Sequence, residues 1–201
     1  MRNFEGSPID FAEMVKSPAE KRAAIKRYVQ EYLGLENEAA DAVELIGPES
    51  FPELYRKQFE FLNDERLKKI QLGIVPTESW HKGKQPSESH ADRGLVLFSE
   101  DYFQGEDKSA WLAHELSHCA KFEDEKGSEG YQRASETPAF EDLAGEVPYP
   151  NNQVEQYAFS RQFEYLKQQG VEREEIRRML EEHYEEVDMP FFERLLERAY
   201  V

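Results

Sequence analysis

Apolar residues recur at helical spacing through most of this chain, and breaks in that rhythm divide it into three regions. In the first, Ser7-Pro8 and Ser17-Pro18 each place a capping hydroxyl before a proline suited to the first helical position. Ser17 and Glu20 have capping-box spacing, and the helix they open is expected to run to Gly34. Ala23, Tyr28, Val29, Tyr32 and Leu33 form its apolar stripe. A short helix over residues 38–46 is expected to end at Gly47-Pro48. Ser50 and Glu53 repeat the capping pattern around Pro52, and Leu54, Phe59, Phe61, Leu62 and Leu67 carry that helix toward Leu72-Gly73.

The pattern then changes. Gly73-Ile74-Val75-Pro76 reads as a short strand, and residues 94–98 (Gly-Leu-Val-Leu-Phe) as the clearest strand in the chain. Between them, residues 77–93 are polar, contain Gly83 and Pro86, and read as a loop or irregular hairpin. Asp107 is the expected N-cap of a helix over residues 108–122. Residues 123–146 are charged and hold Gly127, Gly130, Pro138 and Gly145, so they read as loop with one turn of helix at most. Helices follow over residues 153–169, 172–187 and 190–200, the first stopped by Gly170. Helices, a little sheet, then helices predict an α+β fold, predominantly helical. A single domain is expected: an N-terminal helical region (1–72), a central part (73–170) and C-terminal helices (171–201).

Composition narrows the functional classes. A chain of 201 residues can bury a substantial core. Its formal net charge of −17 argues against unaided binding to nucleic acid or to an anionic membrane, which both demand a cationic face. Lys and Arg alternate with Glu at helical spacing in residues 16–27, 56–69 and 173–198, as on solvated helix faces. Cys119 is the only cysteine, so no intrachain disulfide forms, and a small buried role suits it. Residues 1–6 lack the apolar core of a signal peptide and nothing later resembles a membrane span, so a cytoplasmic location is expected.

The chemistry concentrates at His114-Glu115-Leu116-Ser117-His118. Two histidines four apart on a helix share one face and can reach one ion. A glutamate beside the first projects to the side of that ion, where it can take a proton from water. Trp111, Leu112 and Leu116 would anchor the helix. Two histidines leave a catalytic zinc site short of its usual third protein ligand. Glu155, at the start of the helix over 153–169, is the favoured source; Ala158, one turn later, would let that helix press close. Asp124, six residues after His118, is a second, at the position that resembles the third ligand of metzincin-type zincins, although Lys121 stands where those have a helix-breaking glycine. Glu141, Asp142, Glu146, Glu164 and His183 remain as others. His81 and His90 read as residues of the polar loop.

His114-Glu115-Leu116-Ser117-His118 followed by Asn152-x-x-Glu155-x-x-Ala158 resembles the gluzincins, zincin metallopeptidases whose third ligand is a glutamate on a later helix, and their small, minimal members in particular. The likeness covers residues 94–166 and implies a zincin-like domain with a small sheet beside the active-site helix, to which the N- and C-terminal helices are additions. It implies Zn2+ held by His114, His118 and Glu155, with Glu115 as general base on a zinc-activated water, and a peptide or protein as substrate. It implies that the strand over 94–98 is the edge strand lining the cleft. It also calls for a residue that stabilises the oxyanion, for which Tyr157 and His183 stand with Tyr149 and Tyr131. A zinc hydrolase acting on another bond, or an inactive metal-binding or regulatory relative, would carry the same ligands; the intact Glu115 weighs against the relic.

Overall fold

In a computed structural model of the chain, residues 17–36, 38, 41–51, 53–80, 87–104, 110–143 and 149–201 are described. The helix expected after Ser7-Pro8 lies outside them, as do Pro52, His81, the Asp107 cap and Glu146. The first described helix, α1 (Pro18–Leu33), begins and ends where its caps dictate. Ser17 Oγ donates to Glu20 Oε2 at 2.8 Å and accepts from the Glu20 amide at 3.3 Å. Gly34, at φ 65°, adopts the left-handed turn that closes the helix onto Gln30 O.

Four short strands form one mixed sheet: β1 (Glu44–Ile46), β2 (Gln71–Val75), β3 (Ser87–His90) and β4 (Leu95–Ser99). Their order is β1-β2-β4-β3, with β2 and β4 parallel and both outer pairs antiparallel. Both faces of the central strands are covered, which explains why β4 is apolar at almost every position. Leu72, Ile74, Val96 and Phe98 face one core; Val75, Leu95 and Leu97 meet Ile25, Val29 and Leu33 of α1 on the other. Each such fully buried side chain contributes roughly 1.5–3 kcal/mol by leaving water.

Several sequence expectations are corrected here. Residues 44–46, expected to end a helix, are β1, because Leu45 pairs opposite Gly73 across the sheet. The helix expected to run on toward residue 72 is α2 (Glu53–Leu62). Asn63, at φ 47°, breaks it, and a short turn over Glu65–Lys69 leads into β2. Within the polar stretch 77–93, Ser87–His90 forms β3, which pairs with β4 as a hairpin. The strand over 94–98 is therefore interior, and the edges belong to β1 and β3.

The remaining helices are α3 (Glu100–Gln104), α4 (Ala110–Asp124), α5 (Ser128–Glu136), α6 (Gln153–Gln168), α7 (Arg173–His183) and α8 (Met189–Ala199). α5 has nine residues where a loop was expected. Gly130 makes its entry possible: a Cβ there would lie 1.9 Å from the Glu125 carbonyl oxygen. α4 lies between two cores. Leu112, Leu116, Cys119 and Ala120 pack on the sheet, while Ala113 joins the core of the C-terminal helices. α6 packs against α4 and is backed by Ile176, Leu180, Phe191, Phe192, Leu195 and Leu196 of α7 and α8. The fold is thus α+β and predominantly helical, with a small sheet beside α4 and helices added at both ends. Among the described residues, no helix is long and apolar enough to cross a membrane.

Candidate metal centre

The α4 register that buries Leu112 and Leu116 against the sheet turns His114 and His118 toward α6. The two Nε2 atoms lie 3.0 Å apart, and both rings are buried. His114 is wedged between Phe159 and Trp111, with ring centroids 4.4 and 5.5 Å away. His118 Nδ1 meets the Tyr131 hydroxyl at 3.1 Å, so α5 fixes the orientation of that ring.

Glu155 comes to the same point from α6. Asn152 caps that helix, its Oδ1 accepting from the amides of Val154 and Glu155 at 3.0 and 2.9 Å. The capping loop is pinned by a reciprocal pair, Phe140 N–H to Asn151 Oδ1 and Asn151 Nδ2–H to Phe140 O, both 3.0 Å. Ala158 is fully buried, as close packing of this helix requires. Glu155 Oε2 then stands 3.4 Å from His114 Nε2 and 3.7 Å from His118 Nε2.

These three atoms form a group that could hold a metal ion. Around a tetrahedral ion with ligands at roughly 2.0–2.1 Å, neighbouring ligand atoms are about 3.3 Å apart. The observed 3.0, 3.4 and 3.7 Å bracket that value. The two imidazoles are within hydrogen-bond distance of each other, whereas the buried Glu155 Oε2 has no hydrogen-bond partner among the described residues. Burial depresses the His118 pKa to about 4 and keeps its imidazole neutral. Burial also opposes ionisation of Glu155, and its carboxyl is lowered below the usual range by positive charge on the neighbouring histidines when they are protonated. The residues therefore fit a metal ion.

Glu115 lies beside this group, buried, its Oε1 accepting from Ser87 Oγ at 2.8 Å. Burial raises its pKa, opposed by the nearby His114 and the Ser87 hydrogen bond. The charges of Glu115 and Glu155 also reach Tyr131, Tyr149 and Tyr184. Tyr149 and Tyr184 have their hydroxyls 3.5 Å apart. Dehydration and then the Glu155 charge raise the pKa of both, that of Tyr184 to about 12.

Other expected site residues lie elsewhere. Asp124 accepts from Arg66 Nη1 at 2.7 Å, turned away from the histidines at the last turn of α4. Glu164 pairs with Arg161 and Asp142 with Arg194. Tyr157, two residues after Glu155, is turned about 200° around the helix and lies against Lys121, 5.9 Å from its ring centroid. His183 is exposed at the end of α7, while its neighbour Tyr184 turns inward against Phe159 and Phe192. Tyr184 and Ser87 carry no motif; only the assembled fold brings them to the site. Comparison of the chain with protein-family models, curated proteins and solved structures finds no match.

Proposed function

We propose that this protein is a zinc-dependent metallopeptidase of the gluzincin kind. The observation that carries this reading is the convergence of His114, His118 and Glu155 on one point, with the buried carboxyl of Glu115 beside it. His114 and His118 would hold the ion through Nε2 and Glu155 through Oε2. The chemistry an ion supplies in such a site is polarisation of a carbonyl and acidification of water.

Glu115 takes the proton from the attacking water and returns it to the leaving amine. A buried carboxyl with a raised pKa suits both halves of that transfer, because it binds and releases the proton nearer neutrality. Tyr131 keeps His118 in the orientation that presents Nε2. Tyr149 and Tyr184 offer hydroxyl donors to the substrate oxygen on which charge develops, in place of Tyr157 and His183.

The test pairs metal analysis with a peptide-library digest of wild type and Glu115→Gln. Expected are about one zinc per chain in both, cleavage by wild type, and a rate roughly 10²–10⁴-fold lower in the variant. Zinc without peptide cleavage would shift the reading to another bond or to a metal-binding role. Absence of zinc would remove its foundation.

A further inference from the structure

The edge strand β3 reaches two neighbours at once. On one side Ser87, buried, donates to Glu115 Oε1 at 2.8 Å. On the other, Glu88 accepts from the Tyr32 hydroxyl at 2.8 Å, and His90 Nδ1 meets the Tyr28 hydroxyl at 2.9 Å. Tyr28 and Tyr32 both stand on α1. Ser87 also pairs opposite Phe98 in the antiparallel ladder. Its hydroxyl is therefore presented by a strand held along the sheet and from the α1 side, a more rigid support than a loop would give. Ser87 thus holds Glu115 by one of its two carboxylate oxygens, Oε1.

We infer that Ser87 is a positioning residue for Glu115, fixing one oxygen so that the other meets water in a single orientation. This rests on the metallopeptidase reading above. A carboxylate free to rotate about its last torsions spends part of its time misdirected, and a misplacement of about 1 Å costs on the order of 10²-fold in rate. Ser87 is not one of the three residues that could hold an ion, so its loss is expected to act on the chemical step and leave metal binding in place.

The experiment compares zinc-loaded wild type, Ser87→Ala and Ser87→Thr by steady-state kinetics, metal content and crystallography. Expected for Ser87→Ala are a kcat about 10- to 100-fold lower, KM within about twofold, and full zinc content. Its crystal structure should show the Glu115 side chain in more than one rotamer, and Ser87→Thr, which restores a hydroxyl, should recover most of kcat with one rotamer. A single unmoved Glu115 rotamer in Ser87→Ala, with kcat unchanged, overturns the proposal. Equal losses in Ala and Thr also overturn it, since they mark a packing role. If Ser87→Ala does not fold, Ser87→Cys, close in size but a weak donor, carries the same comparison. A wild type that holds zinc yet cleaves no peptide refutes the proposed reaction instead, and the rotamer comparison still decides the role of Ser87.

Discussion

Replacing Glu155 by Gln keeps the shape of the side chain and removes the charge, so it separates ligation from packing. The cluster is compact, with Oε2 3.4 and 3.7 Å from the two Nε2 atoms. Structural zinc sites bind with an apparent 10–16 kcal/mol, or about 3 kcal/mol for each of four ligands. Loss of one ligand is then expected to weaken zinc binding by roughly two orders of magnitude, at 1.4 kcal/mol per tenfold. Linkage carries this into stability: zinc at about 100 times its Kd stabilises the wild type by about 2.7 kcal/mol, or several degrees in Tm for a chain of this size. The zinc-free proteins should behave differently. There the Glu155 carboxylate is a buried charge whose Oε2 lacks a hydrogen bond among the described residues, so the amide is expected to leave stability within about 1 kcal/mol of wild type. The assay is thermal unfolding of both proteins, with zinc and after chelation, beside a competitive zinc titration. A deficit as large without zinc as with it would refute the argument and make Glu155 a structural residue.

Two further outcomes follow from the same geometry. Tyr131→Phe removes the hydroxyl that meets His118 Nδ1 and is expected to weaken zinc binding about 10- to 100-fold with little change in fold, read by the same titration. In zinc-free protein, His118 has a folded pKa of about 4 against about 6.5 unfolded. Below pH 6.5 the unfolded chain binds a proton that the folded site refuses, so this contribution is complete above pH 6.5 and declines toward pH 4. By pH 5 it should amount to a loss of about 2 kcal/mol, measured by urea unfolding as the difference in pH slope between wild type and His118→Asn; equal slopes would contradict it.

How much the sequence revealed depended on whether the deciding interactions are local. The α1 boundaries were legible because Ser17, Glu20 and Gly34 settle them within the helix itself. The same holds for α6, whose Asn152 cap also sets where Glu155 starts its turn. The ligand histidines could be read because i, i+4 spacing on a helix is a local fact. β1 and β3 were missed because Glu-Leu-Ile and Ser-Glu-Ser-His become strands only through pairing with β2 and β4. α5 was missed because its glycine argues against helix, whereas in the fold Gly130 provides the clearance that the Glu125 carbonyl demands. At the site, His183 was one residue from Tyr184, the side chain that turns inward; a helix end can change which neighbour faces the core, and spacing alone does not reveal it.

The placement of Glu155 on α6 also sets an order of assembly. α4 can settle on the sheet through Leu112 and Leu116 once β2 and β4 are paired, and this brings His114 and His118 together. Glu155 reaches them only when α6 docks, and α6 is covered from behind by Phe191, Phe192, Leu195 and Leu196. The backing that holds α6 in place is therefore complete only once synthesis has passed Leu196. On the reading proposed above, the ion would bind only after α6 has docked, so the supply of free metal at that moment, more than the rate of synthesis, would govern how many molecules become competent.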